Sequence, residues 1–313
     1  MSYENVKSGL RSVAFTVTTP FDEEGENVRY DVHKENVRAI EDAGAELFVP
    51  CGNTGEYYSL SNAERANVVE ATVEAVSESS TVVAGAGGST KNVQQLLGEY
   101  ESIGVDAGMI MHPAHTYLHE QGIFQYYDDI VKSTDLPIVL YKRGPELPDD
   151  IIMRLGQREN VVGVKYAVND IEAFSRAVTD TDADLVWLDG IAERFAPTFA
   201  LEGAEGFTTG IGSFVPKPAL ELQDALRNER WERARGIRDL LRPYEDLRQE
   251  TGSENLFGAA NNIPAVKYGM ELAGLYGGPV REPLVELNDQ DKERAEEYYE
   301  RISLRLETAN FSD

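Results

Sequence analysis

Lysine is rare inside an apolar strand, because its charge is costly to bury. Lys165 nevertheless sits in VVGVKYA, among valine, glycine, tyrosine and alanine. Strand alternation puts Gly163 and Lys165 on one face and Val162 and Val164 on the other. In a barrel the valines meet the outer helices, and Lys165 points into the mouth with room left by the glycine. Desolvation there lowers the amine pKa and leaves a neutral nucleophile able to form a Schiff base with a keto group. The competing interpretation is a structural lysine neutralised by a carboxylate. Three other lysines compete for the role. Lys142 is expected to face away from Tyr141, Lys217 lies between prolines outside any strand, and Lys267 falls in a helix after the barrel.

Tyr141 ends the apolar run LPIVLY, and Arg143 follows two residues later, so both can face the same side of one strand end. A phenol beside an iminium can move protons as the carbinolamine forms and collapses. A guanidinium there can take a substrate carboxylate in bidentate fashion. Core packing for Tyr141 and a surface ion pair for Arg143 are the plainer alternatives. The loop CGNTGEYYSL supplies Gly52 and Gly55 for close backbone approach, and Asn53 and Thr54 as donors to a carboxylate. It could equally be a turn before a capped helix. Gly190, after DLVWLD, and Thr208, in GFTTG, are further candidates for substrate contact. His112 and His115 flank Pro113 with no cysteine or carboxylate to complete a ligand set, so no metal is expected. Neither a Ser-His-Asp arrangement nor a phosphate loop is apparent.

These residues need a scaffold that gathers strand ends. Short apolar runs alternate with amphipathic segments to about residue 225: SVAFTV, AELFVPC, TVVAGAG, DAGMIM, LPIVLY, VVGVKY, DLVWLD and GFTTG. Such alternation implies a parallel sheet, and about eight strands imply a closed (β/α)₈ TIM barrel, with active residues at the C-terminal strand ends. An open doubly wound sheet is weakened by the lack of GxGxxG opening a helix. Ser61 and Glu64 form a capping box. Val93, Leu96, Leu97, Tyr100 and Ile103 share one helical stripe that Gly104 should end. After residue 225 the strand signals stop, and RWERARGIRDLLRPYEDLRQ and DQDKERAEEYYERISLRL read as helices. The expected division is a catalytic barrel over 1–225 and a helical extension over 226–313.

The chain has 313 residues, 42% of them hydrophobic, enough for a barrel of roughly 250 residues plus an extension. Acidic residues outnumber basic ones 55 to 29, for a formal charge of −26. That field repels nucleic acid and anionic membranes. It suits a solvating surface in a salt-rich cytoplasm, where screening tolerates self-repulsion. The single cysteine, Cys51, excludes an intrachain disulfide. MSYENVKSGL has no apolar signal core and no stretch is long and apolar enough to span a bilayer, so the default expectation is cytoplasmic.

Together these motifs resemble the dihydrodipicolinate synthase and N-acetylneuraminate lyase family over nearly the whole chain. VTTPF at 17–21 resembles its first-strand motif and GNTGE at 52–56 its G-[ST]-T-G-E loop. Tyr141 matches the active-site tyrosine, and Lys165 in GVK matches the Schiff-base lysine. YKR, VVGVKYAVNDIE, FVPKPAL and GGPVREPL are most similar to the 5-dehydro-4-deoxyglucarate dehydratase group. The resemblance implies a class I aldolase-type barrel, no cofactor, and a homotetramer built as a dimer of dimers. Two positions depart from the synthase and lyase pattern. Asn53 replaces a proton-relaying hydroxyl, and Pro113, Ala114 and His115 stand where PYY would supply a second relay tyrosine. His115 is a candidate replacement. YAV after Lys165 also departs from the dehydratase group.

The expected activity is dehydration of a 2-keto-3-deoxy sugar acid. Lys165 would form the iminium, Thr54 and Asn53 would hold the adjacent carboxylate, and Arg143 the distal end. Aldol cleavage with release of pyruvate would use the same iminium and is the alternative. Dihydrodipicolinate synthesis and a catalytically silent binding protein rank lower.

Overall fold

The computed structural model describes residues 2–308. Each of the eight apolar runs contains a strand: β1 (Val13–Phe15), β2 (Leu47–Phe48), β3 (Thr81–Ala86), β4 (Ala107–Ile110), β5 (Ile138–Lys142), β6 (Val161–Tyr166), β7 (Val186–Asp189) and β8 (Gly206–Thr209). They pair in parallel in chain order and close into a barrel, with β1 against β8 in register Val13↔Phe207. The open-sheet alternative is thereby excluded.

A first helix, α1 (Tyr3–Leu10), precedes β1, with Ser2 accepting from the Asn5 amide as its N-cap. The helices between strands are α2 (Tyr30–Asp42), α3 (Asn62–Ala75), α4 (Thr90–Ile103), α5 (Glu120–Val131), α6 (Asp149–Leu155), α7 (Ile171–Asp180) and α8 (Ala196–Leu201). The Ser61–Glu64 capping box opens α3 as the sequence predicts. Gly104, at φ 98°, ends α4 in the left-handed conformation that suits glycine. After β8 come α9 (Pro216–Arg227), α10 (Trp231–Gln249), α11 (Asn262–Leu272) and α12 (Asp289–Thr308).

Two apolar clusters hold this together. One runs from Leu10 through Val83, Ile110, Leu140 and Leu188 to Phe199. In the other, Val13, Phe48 and Phe207 of the strands share a core with Leu222, Tyr244, Met270 and Ile302 of the last four helices. The C-terminal helices therefore pack on the β1, β2 and β8 side, and α10 runs up to the mouth there. One expectation is corrected. The room at Gly163 does not serve the mouth: a Cβ there would lie 3.0 Å from Leu10 of α1 and 2.9 Å from the Val186 carbonyl. The glycine admits close packing of α1 instead.

Candidate active site

β5 and β6 pair so that Tyr141 lies directly beside Lys165. The Lys165 amine is 4.5 Å from the centroid of the Tyr141 ring, and only 6% of the residue is exposed. Among the described residues it makes no hydrogen bond and no ion pair, so the structural-lysine interpretation does not hold. Burial, followed by the fields of Arg143 and Arg248, lowers its pKa to about 8. Near that pH a large fraction is neutral amine.

The competing lysines are engaged or exposed. Lys142 points away, donating to the Leu147 carbonyl at 2.7 Å and pairing with Asp149 at 3.0 Å. Lys217 is exposed in α9. Lys267 is buried against Glu56 at 2.6 Å and donates to the Pro279 carbonyl.

Asn53 donates through Nδ2 to the Tyr141 hydroxyl oxygen at 3.0 Å. The phenol therefore keeps its own proton free to give away. Burial, partly offset by Arg143, pushes its pKa up to about 12, so it is protonated at neutral pH. Thr16 Oγ1 lies 2.6 Å from the Thr209 carbonyl and 3.0 Å from Thr54 Oγ1. Thr16 is the donor in both contacts, the shorter one being to the carbonyl, so the Thr54 oxygen accepts and its own hydroxyl proton is not taken up. One of the two Asn53 side-chain N–H bonds is taken by Tyr141, while the other and the Thr54 hydroxyl proton have no partner among the described residues. Among the described residues their backbone N–H groups make no hydrogen bond either, and the loop offers these as well. Glu56, in left-handed backbone at φ 54°, secures the loop. Its second carboxylate oxygen accepts from the Arg281 amide at 2.9 Å.

A cavity of about 560 Å³ opens above Lys165, lined by Asn53, Thr54, Tyr141, Arg143, Gly190 and Thr208 among others. All seven positions singled out from the sequence thus meet in one place. Arg143 is exposed at its rim and has no ion-pair partner among the described residues. His115 instead bonds within its own turn to Tyr117. His112 is the histidine near the rim, 3.4 Å from the Tyr58 hydroxyl. Among the described residues no group of three His, Cys, Asp or Glu side chains is placed to hold a metal ion. None of their helices is long and apolar enough to cross a membrane.

Sequence reasoning missed the wall supplied by α10 and α11. Glu245, Arg248 and Asn262 line the same cavity. Arg248 pairs with Glu245 at 2.5 Å, both buried. Behind them lie Asp189 and Glu193, fully buried. Burial and the nearby Glu245 raise Asp189 to about 8, and the same two causes raise Glu193. The sequence does carry one hint: glutamate and arginine three residues apart in a helix can pair.

A closed barrel whose mouth holds a buried, partnerless lysine beside a protonated tyrosine defines a lyase of the Schiff-base, class I aldolase type. Comparison with known proteins agrees. The dihydrodipicolinate synthetase family matches residues 9–301, and the chain belongs to that family. It is 30% identical over 290 residues to a 4-hydroxy-tetrahydrodipicolinate synthase of Methanopyrus kandleri, covering 91% of this chain and 93% of that one. It is 29% identical over 296 residues to a probable 5-dehydro-4-deoxyglucarate dehydratase of Saccharopolyspora erythraea, covering 92% and 91%. The crystal structure of dihydrodipicolinate synthase from Oceanobacillus iheyensis superposes with a TM-score of 0.91 at 31% identity, covering 97% of this chain and all of the other.

Proposed function

We propose that this enzyme dehydrates a 2-keto-3-deoxy sugar acid of the 5-dehydro-4-deoxyglucarate or aldonate type through a Schiff base on Lys165. The observation that carries the proposal is the buried Lys165 amine without a partner, beside a tyrosine that still holds its proton. The neutral amine adds to carbon 2. Tyr141 protonates the departing carbinolamine hydroxyl, which leaves as water, and the iminium forms beside a phenolate. The phenolate takes the carbon-3 proton, giving the enamine. The enamine expels the carbon-4 hydroxyl, protonated by Tyr141, as a second water. Hydrolysis of the unsaturated iminium returns amine, phenol and product. The N–H groups of Asn53 and Thr54 hold the first carboxylate, Arg143 the distal end, and Gly190 and Thr208 line the chain between. No cofactor takes part.

Asn53 supports dehydration over the synthase and sialic-acid reactions. An amide donating to Tyr141 cannot relay its proton onward. Aldol cleavage would start from the same iminium but needs Tyr141 to take the carbon-4 hydroxyl proton. Incubation with a panel of 2-keto-3-deoxy acids decides: the dehydrated acid is expected, or a semialdehyde with carbon dioxide where a diacid loses its distal carboxylate after dehydration, and pyruvate with an aldehyde would overturn the dehydratase assignment. We further propose a homotetramer in a salt-rich cytoplasm, with residues 1–225 carrying the chemistry and 226–313 completing the mouth. The −26 charge supports the salt adaptation.

A further inference from the structure

We infer that Arg248, held by Glu245 and Asn262, is a specificity-determining residue that grips a hydroxyl on the substrate chain, and that it is not a second carboxylate anchor. The inference rests on the Schiff-base reading above. The sequence places Arg248 about 80 residues beyond Lys165, in the last turn of α10, yet both line one cavity.

Its donors can be counted. A guanidinium has five N–H bonds. Nη1 pairs with Glu245 Oε1 at 2.5 Å, Nη2 donates to Asn262 Oδ1 at 2.9 Å, and Nε donates to the Asn262 carbonyl at 3.3 Å. Two N–H bonds remain on a group that lines the cavity. The guanidinium lies against the end of β8 at Gly210, where a Cβ would come within 2.4 to 2.9 Å of Nη2, Cζ and Nη1. The missing side chain is what lets the group lie there. The position is therefore built from three elements, with the guanidinium locked on two sides.

Charge decides what such a group recognises. Glu245 is fully buried and cancels the Arg248 charge at contact distance. Its other oxygen makes no hydrogen bond among the described residues. Asp189 and Glu193 behind it hold their protons near neutral pH and leave that pair electrically balanced. A carboxylate brought to Arg248 would also face Glu245 and lose its hydration for little net attraction. A hydroxyl can accept an N–H bond with no such repulsion. Arg143 is the opposite case, an exposed guanidinium with no carboxylate partner among the described residues. The two arginines divide the work, charge at Arg143 and hydroxyl at Arg248.

The test compares 4-hydroxy-2-oxoglutarate with 2-oxoglutarate, which differ by one hydroxyl. Each is trapped on the enzyme with borohydride, and the half-saturating concentration is read from adduct mass. The wild type should favour the hydroxylated acid by about tenfold or more, since sites built to bond a hydroxyl reject analogues lacking it. Arg248→Met should abolish that preference, read as the ratio of the two acids within each enzyme at a pH above its own Lys165 midpoint, because loss of Arg248 also moves that midpoint to higher pH; pyruvate trapping at the same pH is the check on folding. If that variant does not fold, Arg248→Lys keeps a cation beside Glu245 but not the fork, and should lose most of the preference. Preference retained in the folded variant, or equal weakening of both acids, overturns the inference and leaves the Schiff base standing. No adduct with any acid in the wild type overturns the Schiff-base reading and this inference with it.

Discussion

The state of the Lys165 amine gives the most direct quantitative test. An ordinary lysine with pKa 10.5 is about 0.03% neutral at pH 7, whereas one at about 8 is roughly 10% neutral, a gain of about 300-fold in nucleophile. The lowering comes first from burial, then from Arg143, then from Arg248. The direction follows from the charge. Only the deprotonated amine attacks, so the rate should climb about tenfold per pH unit below the pKa and flatten above about 8. The assay is inactivation by pyruvate under excess borohydride from pH 6 to 10, with peptide mass mapping to VVGVKYA. Arg143→Gln removes a neighbouring cation, so protonated Lys165 becomes easier to form and the midpoint should move to higher pH. At pH 7 the variant should then trap more slowly. A rate that keeps rising unbroken to pH 10, or a midpoint that moves to lower pH in Arg143→Gln, refutes the electrostatic account.

Four further outcomes are expected. Tyr141→Phe should still form some adduct but turn over about 10² to 10⁴-fold more slowly, because it deletes the proton that Tyr141 gives; near-normal steady-state turnover counts against that role. Glu56→Gln breaks a fully buried pair with Lys267 and should lower unfolding free energy in urea by about 3–5 kcal/mol, so a change under about 1 kcal/mol would contradict the pairing. Asp189 keeps its proton to about pH 8 when folded but loses it near 3.8 when unfolded, so its stabilisation is complete below 3.8 and is lost as pH rises to 8. The melting temperature should therefore fall less steeply between pH 5 and 9 in Asp189→Asn than in the wild type, and equal slopes would speak against a buried acid. Raising salt from 0.1 to 1 M shortens the Debye length from about 10 to 3 Å and should raise the melting temperature of this −26 chain, whereas an unchanged value argues against salt adaptation.

Much of the site was legible before folding because its signals are local. A lysine inside VVGVKYA stands out wherever the strand lies, and alternation alone separates Lys165 from the valines. The eight runs, the Ser61 capping box and the Gly104 stop are likewise set by neighbours in the chain. What Asn53 and Thr54 offer was legible only in part. Both keep a side-chain donor, but Tyr141, distant in sequence, takes one Asn53 N–H, Thr16 donates to Thr54, and the unpaired backbone N–H groups add to what the loop offers. The room beside Gly163 likewise went to Leu10, more than 150 residues earlier in the chain. Arg248 is the clearest case. In RPYEDLRQ it reads as one more surface arginine on a charged helix. Only closure of β8 onto β1, with α9 to α12 packed against that side, brings it over Gly210 and into the cavity. Periodicity reports which face of an element is apolar, because that depends on residues a few positions apart. Which polar groups meet at a strand end depends on how elements far apart in the chain pack, and that is decided only when the barrel closes.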